Sequence, residues 1–333
     1  MADCHSLFND FDNKIALTSA RTKSLKKSRK SIRDRIRRYY REKQSGSILP
    51  KFWSQGSFEM GTSVNPIPRK ITVDGEEKSL YKYDVDDGVY FIDDEANRVS
   101  AQTYHNQIYA AVTGYTDEDP TDKDTCVRVV FHDGHNIDLP IYFKDKSDSD
   151  ALPELAHKSE QWPYSDPRAF VKWFNKHAKE NPQLYKLVRY AKAWCDNQNY
   201  LAGARKMPSG LVLTIWFTEN ARYSNDRDDI ALRDTLKAVR NSIDAEFSCL
   251  RPTELKDENL LEKYSHEEYF KKKLDDFLES AEQAISESNQ KEACAKWQRH
   301  LGSRFPCHLA EDRDEGARSF PVPAIVKSNA KGA

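Results

Sequence analysis

Apolar residues follow several different rhythms along the first half of the chain. Over 13–44, Leu25, Ile32, Ile36 and Tyr39 or Tyr40 recur at helical spacing, which predicts one long helix with a narrow apolar stripe. Residues 81–92 read instead as a buried strand. Alternation there sends Asp84 and Asp86 to one face and Val85 to the core. Residues 102–112 return to a helical pattern. The runs 126–131 and 136–143 are β-rich and flank His132-Asp133-Gly134-His135, whose Asp-Gly pair is a hairpin signal. In the second run, Ile137-Asp138-Leu139 sets one carboxylate among apolar neighbours, and Asp138 is expected beside the first acidic pair.

After Pro153 the character changes. Segments 167–180, 182–198, 208–222, 228–248 and 262–301 are all helical in pattern, with Pro208-Ser209 opening one of them. The chain therefore reads as a mixed α/β first half and an all-helical second half, without internal repeats. Residues 311–333, with Pro321 and Pro323 among small polar residues, are expected to be a flexible tail.

Composition narrows the class. The chain has 333 residues, is 32% charged, carries a net charge of −1 and has a mean hydropathy of −0.82. It shows neither a transmembrane pattern nor a signal-peptide pattern, so a cytoplasmic protein is expected. The near-neutral total hides a basic run: 21–43 holds twelve Lys/Arg against Asp34 and Glu42. The bland reading is a scaffold helix with solvated charges, and the functional one is a phosphate-backbone contact surface. Six cysteines, at 4, 126, 195, 249, 294 and 307, form no CxxC pair, and free thiols are expected.

The candidate chemistry lies in two short runs. Trp53-Ser54-Gln55-Gly56-Ser57-Phe58 reads as a small glycine-containing turn offering backbone N–H groups and a hydroxyl. Asp84 and Asp86 on one strand face repel by about 1 kcal/mol in water and about 4 kcal/mol near a protein surface at ~4 Å. A divalent cation relieves that repulsion, and Mg²⁺ is typically held by one or two carboxylates plus substrate phosphates. Either motif alone is commonplace. Their order is more telling, with Asp138 following as an isolated strand carboxylate: nucleotidyl transfer assisted by two metals needs two shared ligands and a third carboxylate near the attacking hydroxyl. A calcium-loop reading of Asp84 to Glu95 fails, because Gly88 stands at the fifth loop position rather than the sixth. His132 and His135 read as a solvated turn rather than a metal pair. Lys192, among apolar helical neighbours, would by itself simply snorkel to solvent. With Ser209 at a helix start it could instead clamp a triphosphate.

Read together, these segments resemble the bacterial CD-NTases, the cGAS/DncV-like nucleotidyltransferases of CBASS anti-phage systems. The resemblance runs from about residue 50 to 305. It is carried by Phe52 to Phe58, Tyr83 to Tyr90, Ile137 to Tyr142, Ser165-Asp166-Pro167 with Trp173-Phe174, Lys192-Ala193-Trp194, Trp297-Gln298-Arg299 and Phe305-Pro306. It implies a bilobed α/β + α fold: a polymerase-β-like nucleotidyltransferase palm of mixed sheet and helices, a C-terminal helical lobe, and an N-terminal spine helix. The implied division is 1–160 for spine and palm, 161–310 for the helical lobe and 311–333 for the tail. By the same resemblance Asp84, Asp86 and Asp138 hold two Mg²⁺, for which Mn²⁺ can substitute. Gln55, Gly56 and Ser57 meet the donor nucleotide, and Lys192 and Ser209 steady its triphosphate.

The implied activity is synthesis of a cyclic di- or trinucleotide second messenger from ATP and GTP or another NTP, with an adenine-containing cyclic dinucleotide favoured. A separate effector would read the product. The small terminal residue Ala333 permits conjugation by a ubiquitin-transfer-like ancillary enzyme. The His/Cys zinc insertion of animal DNA sensors is absent, so no nucleic-acid activator is expected, nor any membrane partner. Two alternatives stand beside this reading: a template-independent RNA or 2′–5′ oligoadenylate polymerase, and a non-catalytic nucleic-acid-binding protein.

Overall fold

The long helix expected over 13–44 is found at Ser19–Lys43, and residues 13–15 instead close an earlier, separate helix. A computed structural model describes residues 1–73, 76–80, 83–132, 134–253, 257–312 and 314. Helix α1 (His5–Ile15) ends where Ala16 turns extended and bridges to Val64, and Thr18 then caps α2 (Ser19–Lys43) by accepting the Arg21 N–H. The two helices serve different cores. Leu7, Phe8, Phe11 and Ile15 of α1 are buried with Tyr190, Trp297 and Phe305, whereas Ile32, Ile36 and Tyr40 of α2 are buried against a sheet. Much of the basic run is structural. Arg33 forks onto Asp87, Arg35 donates to the Ala111 and Thr113 carbonyls, and Arg37 lies over the Phe52 ring.

The first half then lays down β1 (Lys51–Gln55), a single turn α3 (Gly56–Glu59), a separate hairpin of β2 (Arg69–Val73) and β3 (Glu76–Leu80), and β4 (Tyr83–Asp93). Helix α4 (Ala101–Val112), β5 (Thr121–Asp122), β6 (Cys126–Val130), β7 (His135–Asp145) and β8 (Glu154–Leu155) follow. The sheet runs β1-β4-β7-β6-β5, with β8 also on β7; β4 and β7 are parallel and the other pairs antiparallel. Period-two alternation fills one face with Val89, Phe91, Ile137, Leu139, Ile141 and Phe143, which pack with residues of α2 and α4. The acidic residues therefore stand on the opposite face. The β2–β3 hairpin was not anticipated, although Asp74-Gly75 stands between its two strands in the sequence as the same Asp-Gly signal. His135 departs from the expected solvated turn: it is buried and stacked on Phe131 at 4.0 Å. Asp133, part of the hairpin signal, lies outside the described residues.

The second half is helical as expected: α5 (Pro167–Glu180), α6 (Gln183–Ala202), α7 (Gly210–Glu219), α8 (Asp228–Ala245), α9 (Glu267–Ser286) and α10 (Gln290–Leu301). The run 262–301 is broken because Asn289 accepts the Lys291 and Glu292 N–H groups, starting a new helix. Trp194, Phe277 and Trp297 anchor this core. The expectation of six free thiols is corrected here: Cys294 and Cys307 form a disulfide, while Cys4, Cys126, Cys195 and Cys249 are buried thiols. Gly302, at φ +77°, turns the chain after α10 and brings Cys307 back to that helix. Of the expected tail, Asp312 and Asp314 contact Lys291, Asn289 and Ser288; residues 313 and 315–333 lie outside the described residues. Among the described residues, no helix is long and apolar enough to cross a membrane.

Candidate active site

Four strands contribute one side-chain row. In the sheet register Gln55 of β1 faces Asp86 of β4, Asp86 faces Asp138 of β7, and Asp138 faces Arg128 of β6. Residues paired in register point to the same face, so two carboxylates are brought side by side although 52 positions separate them (86 to 138). Asp84, two residues before Asp86, joins them on that face and is paired in register with Asn136.

Each carboxylate is held differently. Arg128 grips Asp138 through Nε at 2.6 Å and Nη2 at 2.7 Å, and Nη2 also reaches Asp84 at 2.8 Å. Asn136 donates to the other oxygen of Asp84 at 2.8 Å. Asp86 has no hydrogen-bond or ion-pair partner among the described residues, and burial together with the Asp138 and Asp84 charges raises its pKa to about 7. The fourth acidic residue, Asp87, points to the opposite face, where it is fully buried and paired with Arg33.

The row opens into a cavity of about 590 Å³ between the two lobes. Gln55, Gly56, Ser57, Asp84, Asp86, Asp138 and Lys192 all line it. The strand β1 delivers Gly56 at φ +67°, a conformation that favours glycine, so the backbone turns away above Asp86. The Gln55 amide is anchored in the sheet: it donates to the Tyr142 hydroxyl at 3.1 Å and accepts from the Tyr90 hydroxyl at 3.2 Å. Ser57 Oγ is 2.9 Å from Ser63 Oγ.

Across the cavity, Lys192 of α6 donates to Thr62 Oγ1 at 3.0 Å and has no carboxylate partner among the described residues. Burial, with a smaller contribution from Arg189, lowers its pKa to about 7. Ser209 does not line the cavity. Its hydroxyl caps α7 by accepting the Val212 N–H, while the neighbouring Gly210 does line the cavity. Arg205 lines the wall and has no partner among the described residues.

The oxygen donors suit a hard divalent cation, because three carboxylates share one face and burial penalises the unpartnered one. As the side chains stand, with Arg128 spanning Asp84 and Asp138, the described residues contain no ready three-ligand metal cluster. Arg128 and Thr62 were missed from sequence. Arg128 did leave a signal, as the lone charge in the apolar run Cys126-Val127-Arg128-Val129-Val130. Thr62 left none, since its role depends on a contact 130 positions away.

Residues 50–142 match the family of nucleotidyltransferase domains of DncV-like cyclic GMP-AMP synthases. The cyclic GMP-AMP synthase of Escherichia albertii is 24% identical over 287 residues, covering 83% of this chain and 59% of that protein. Its counterpart from Escherichia coli strain TW11681 is 25% identical over 251 residues, covering 61% and 54%. The matched region thus spans less than two thirds of these relatives. The structure of Vibrio cholerae DncV with the linear intermediate 5′ pppA(3′,5′)pG superposes with a TM-score of 0.76 at 20% identity, covering 94% of this chain and 99% of that one. Escherichia coli DncV in its 3′-deoxy GTP-bound form gives 0.70 at 18% identity, covering 88% and 93%. The fold is that of the DncV nucleotidyltransferases, and the resemblance to CD-NTases read from the motifs is borne out.

Proposed function

We propose that this chain joins NTPs by nucleotidyl transfer into a cyclic oligonucleotide second messenger, with an adenine-containing cyclic dinucleotide as the favoured product. The observation that carries this reading is the shared face of Asp84, Asp86 and Asp138, set across one cavity from Lys192. The matched cyclic GMP-AMP synthases, and the nucleotides bound in the DncV structures, support the same chemistry.

In this reading Asp84, Asp86 and Asp138 hold two Mg²⁺, or Mn²⁺ in their place. Bound there, the ions would neutralise charge on the entering and leaving oxygens of an in-line displacement. The remaining work falls to the chain. Lys192 supplies a positive charge to the triphosphate, and Thr62 orients its ammonium group. Gly56 and Ser57 present backbone and hydroxyl donors from the sheet side. Gln55 acts indirectly, since its amide is committed to Tyr90 and Tyr142 beneath the site. Ser209 also acts indirectly, by fixing the first turn of α7 beside Lys192. Asp138 lies nearest the attacking ribose hydroxyl. The α-phosphorus bond to that oxygen forms as pyrophosphate leaves, and a second round in the same cavity closes the ring.

The same reading makes the protein a component of bacterial anti-phage defence in the cytoplasm, acting through a separate effector. A ubiquitin-transfer-like enzyme acting on the C-terminus belongs to it as an accessory partner. Incubation with mixed NTPs and Mg²⁺, followed by phosphatase and mass spectrometry, tests the central claim. A phosphatase-resistant cyclic product is expected. A product that is only linear, or extension of an added RNA, would overturn it.

A further inference from the structure

Arg128 sits at the end of the acidic row and commits three of its five N–H donors there. Its fork takes both oxygens of Asp138, and Nη2 also takes Oδ2 of Asp84. With Asn136 on Oδ1 of Asp84, every oxygen of these two carboxylates already accepts a hydrogen bond. Lys123 adds a second cation, 3.5 Å from Asp138 Oδ2. Asp86, beside Asp138 in the row and two residues along β4 from Asp84, is left without a partner among the described residues. A bidentate arginine–carboxylate pair is stronger than a neutral hydrogen bond and fixed in direction. The guanidinium thus lies across the two carboxylates that neighbour Asp86.

A divalent ion binding these side chains would lie within a few ångströms of the guanidinium, and repulsion between cations at that range is large in a partly buried site. Mg²⁺ also gives up its water reluctantly. Either the guanidinium leaves, or the ion binds beside it at a cost. An incoming triphosphate changes the balance, because its negative charge offsets the added positive charge.

We propose that Arg128 is the resident counter-cation of the acidic row, competing with divalent metal for Asp84 and Asp138 so that metal uptake is weak until nucleotide arrives. The inference deepens the nucleotidyl-transfer reading and rests on it. Arg128 is a positioning residue in this scheme, acting through the carboxylates it holds.

Manganese binding to the full chain without nucleotide tests the idea, with free Mn²⁺ followed by electron paramagnetic resonance. Arg128→Gln should bind Mn²⁺ at least tenfold more tightly than the unsubstituted protein. Arg128→Lys, which keeps the charge but loses the fork, should fall between them. Adding Asp84→Asn to Arg128→Gln should remove the gain. Mn²⁺ should also raise the melting temperature of Arg128→Gln more than that of the unsubstituted protein, since stabilisation by a ligand grows with the logarithm of its affinity. A merely structural arginine would not shift that difference. Arg128→Gln that keeps a native circular dichroism spectrum and binds Mn²⁺ no more tightly overturns the inference. Should that variant not fold, Arg128→Lys decides, and affinity equal to the unsubstituted protein overturns it. If the unsubstituted protein makes cyclic product yet neither variant gains affinity, this inference alone fails. If it makes no nucleotide product at all, the nucleotidyl-transfer reading itself fails.

Discussion

Gly56 lies directly against the carboxylate of Asp86: a Cβ built on Gly56 would run into Oδ2 and stand 3.2 Å from Cγ. The turn after β1 and the central acid of the row can approach this closely only if one of them lacks a side chain. Gly56 is also at φ +67°, where alanine is strained. Gly56→Ala should therefore displace Asp86 and cut pyrophosphate release by at least ~10²-fold, equivalent to about 2.7 kcal/mol of transition-state stabilisation. Activity within threefold of the unsubstituted protein would show that the row tolerates movement at its centre.

Asp86 also sets a pH dependence. Its folded-state pKa is raised from 3.8 to about 7 by burial, Asp138 and Asp84. A raised carboxyl pKa means that the associated stability is fully present below about pH 4, is lost as pH climbs from there through 7, and is gone above. In EDTA, unfolding free energy should fall across that window. Asp86→Asn should be more stable than the unsubstituted protein at pH 8, by about 2 kcal/mol or more, since one pKa unit corresponds to about 1.4 kcal/mol. The same variant should lose at least ~10²-fold in turnover. Urea melts at pH 4 and pH 8 check the sign.

Asp87 should behave oppositely to its neighbours. It lies on the core face, fully buried, and joins β4 to α2 through Arg33 with Arg29 close by. Removing one partner of a buried pair leaves the other charge uncompensated, at a cost of about 3–5 kcal/mol. Asp87→Ala should lower the denaturation midpoint accordingly. Asp84→Asn, at an exposed position in the same strand, should abolish turnover with little change in stability. Equal stability losses in the two variants would contradict the two-face assignment.

Lys192 must be charged to attract a triphosphate, yet burial lowers its pKa to about 7. A depressed lysine pKa means the charged form is lost as pH rises through 7, so KM for NTP should climb from pH 7 to 9. Lys192→Met should raise KM about ten- to a hundredfold at pH 6.5, the ~1.5–3 kcal/mol of a charged hydrogen bond. It should also flatten the pH profile. A profile unchanged in the variant would assign the dependence to another group.

The Cys294–Cys307 bridge closes a short loop, with the two residues 13 positions apart. Loops of this size gain about 3 kcal/mol from cross-linking, chiefly through the unfolded chain. Cys307→Ser should lower the melting temperature under oxidising conditions and leave it unchanged under reducing ones, where the bridge is already open.

The acidic site was legible because strand alternation is a local property: Asp84 and Asp86 must share a face whichever strand they pair with. That Asp138 would join them could be inferred from its setting among apolar residues. The partner of each carboxylate could not, since Arg128, Asn136 and the alignment of β4 with β7 depend on pairing across the sheet. Alternation already sends Asp87 to the face opposite Asp86, but that Arg33 of α2 would meet it there depends on the tertiary fold.

Local patterns alone therefore determined the mixed α/β first half and helical second half, the shared face of Asp84 and Asp86, and the motifs that identify the nucleotidyltransferase resemblance. Tertiary structure decided the break at 16–18, the pairing of Cys294 with Cys307, the commitment of Gln55 to Tyr90 and Tyr142, and the meeting of Lys192 with Thr62. The division has a physical cause. Alternation and capping act over a few residues, whereas these contacts join positions brought together only when two separate cores close around one cavity.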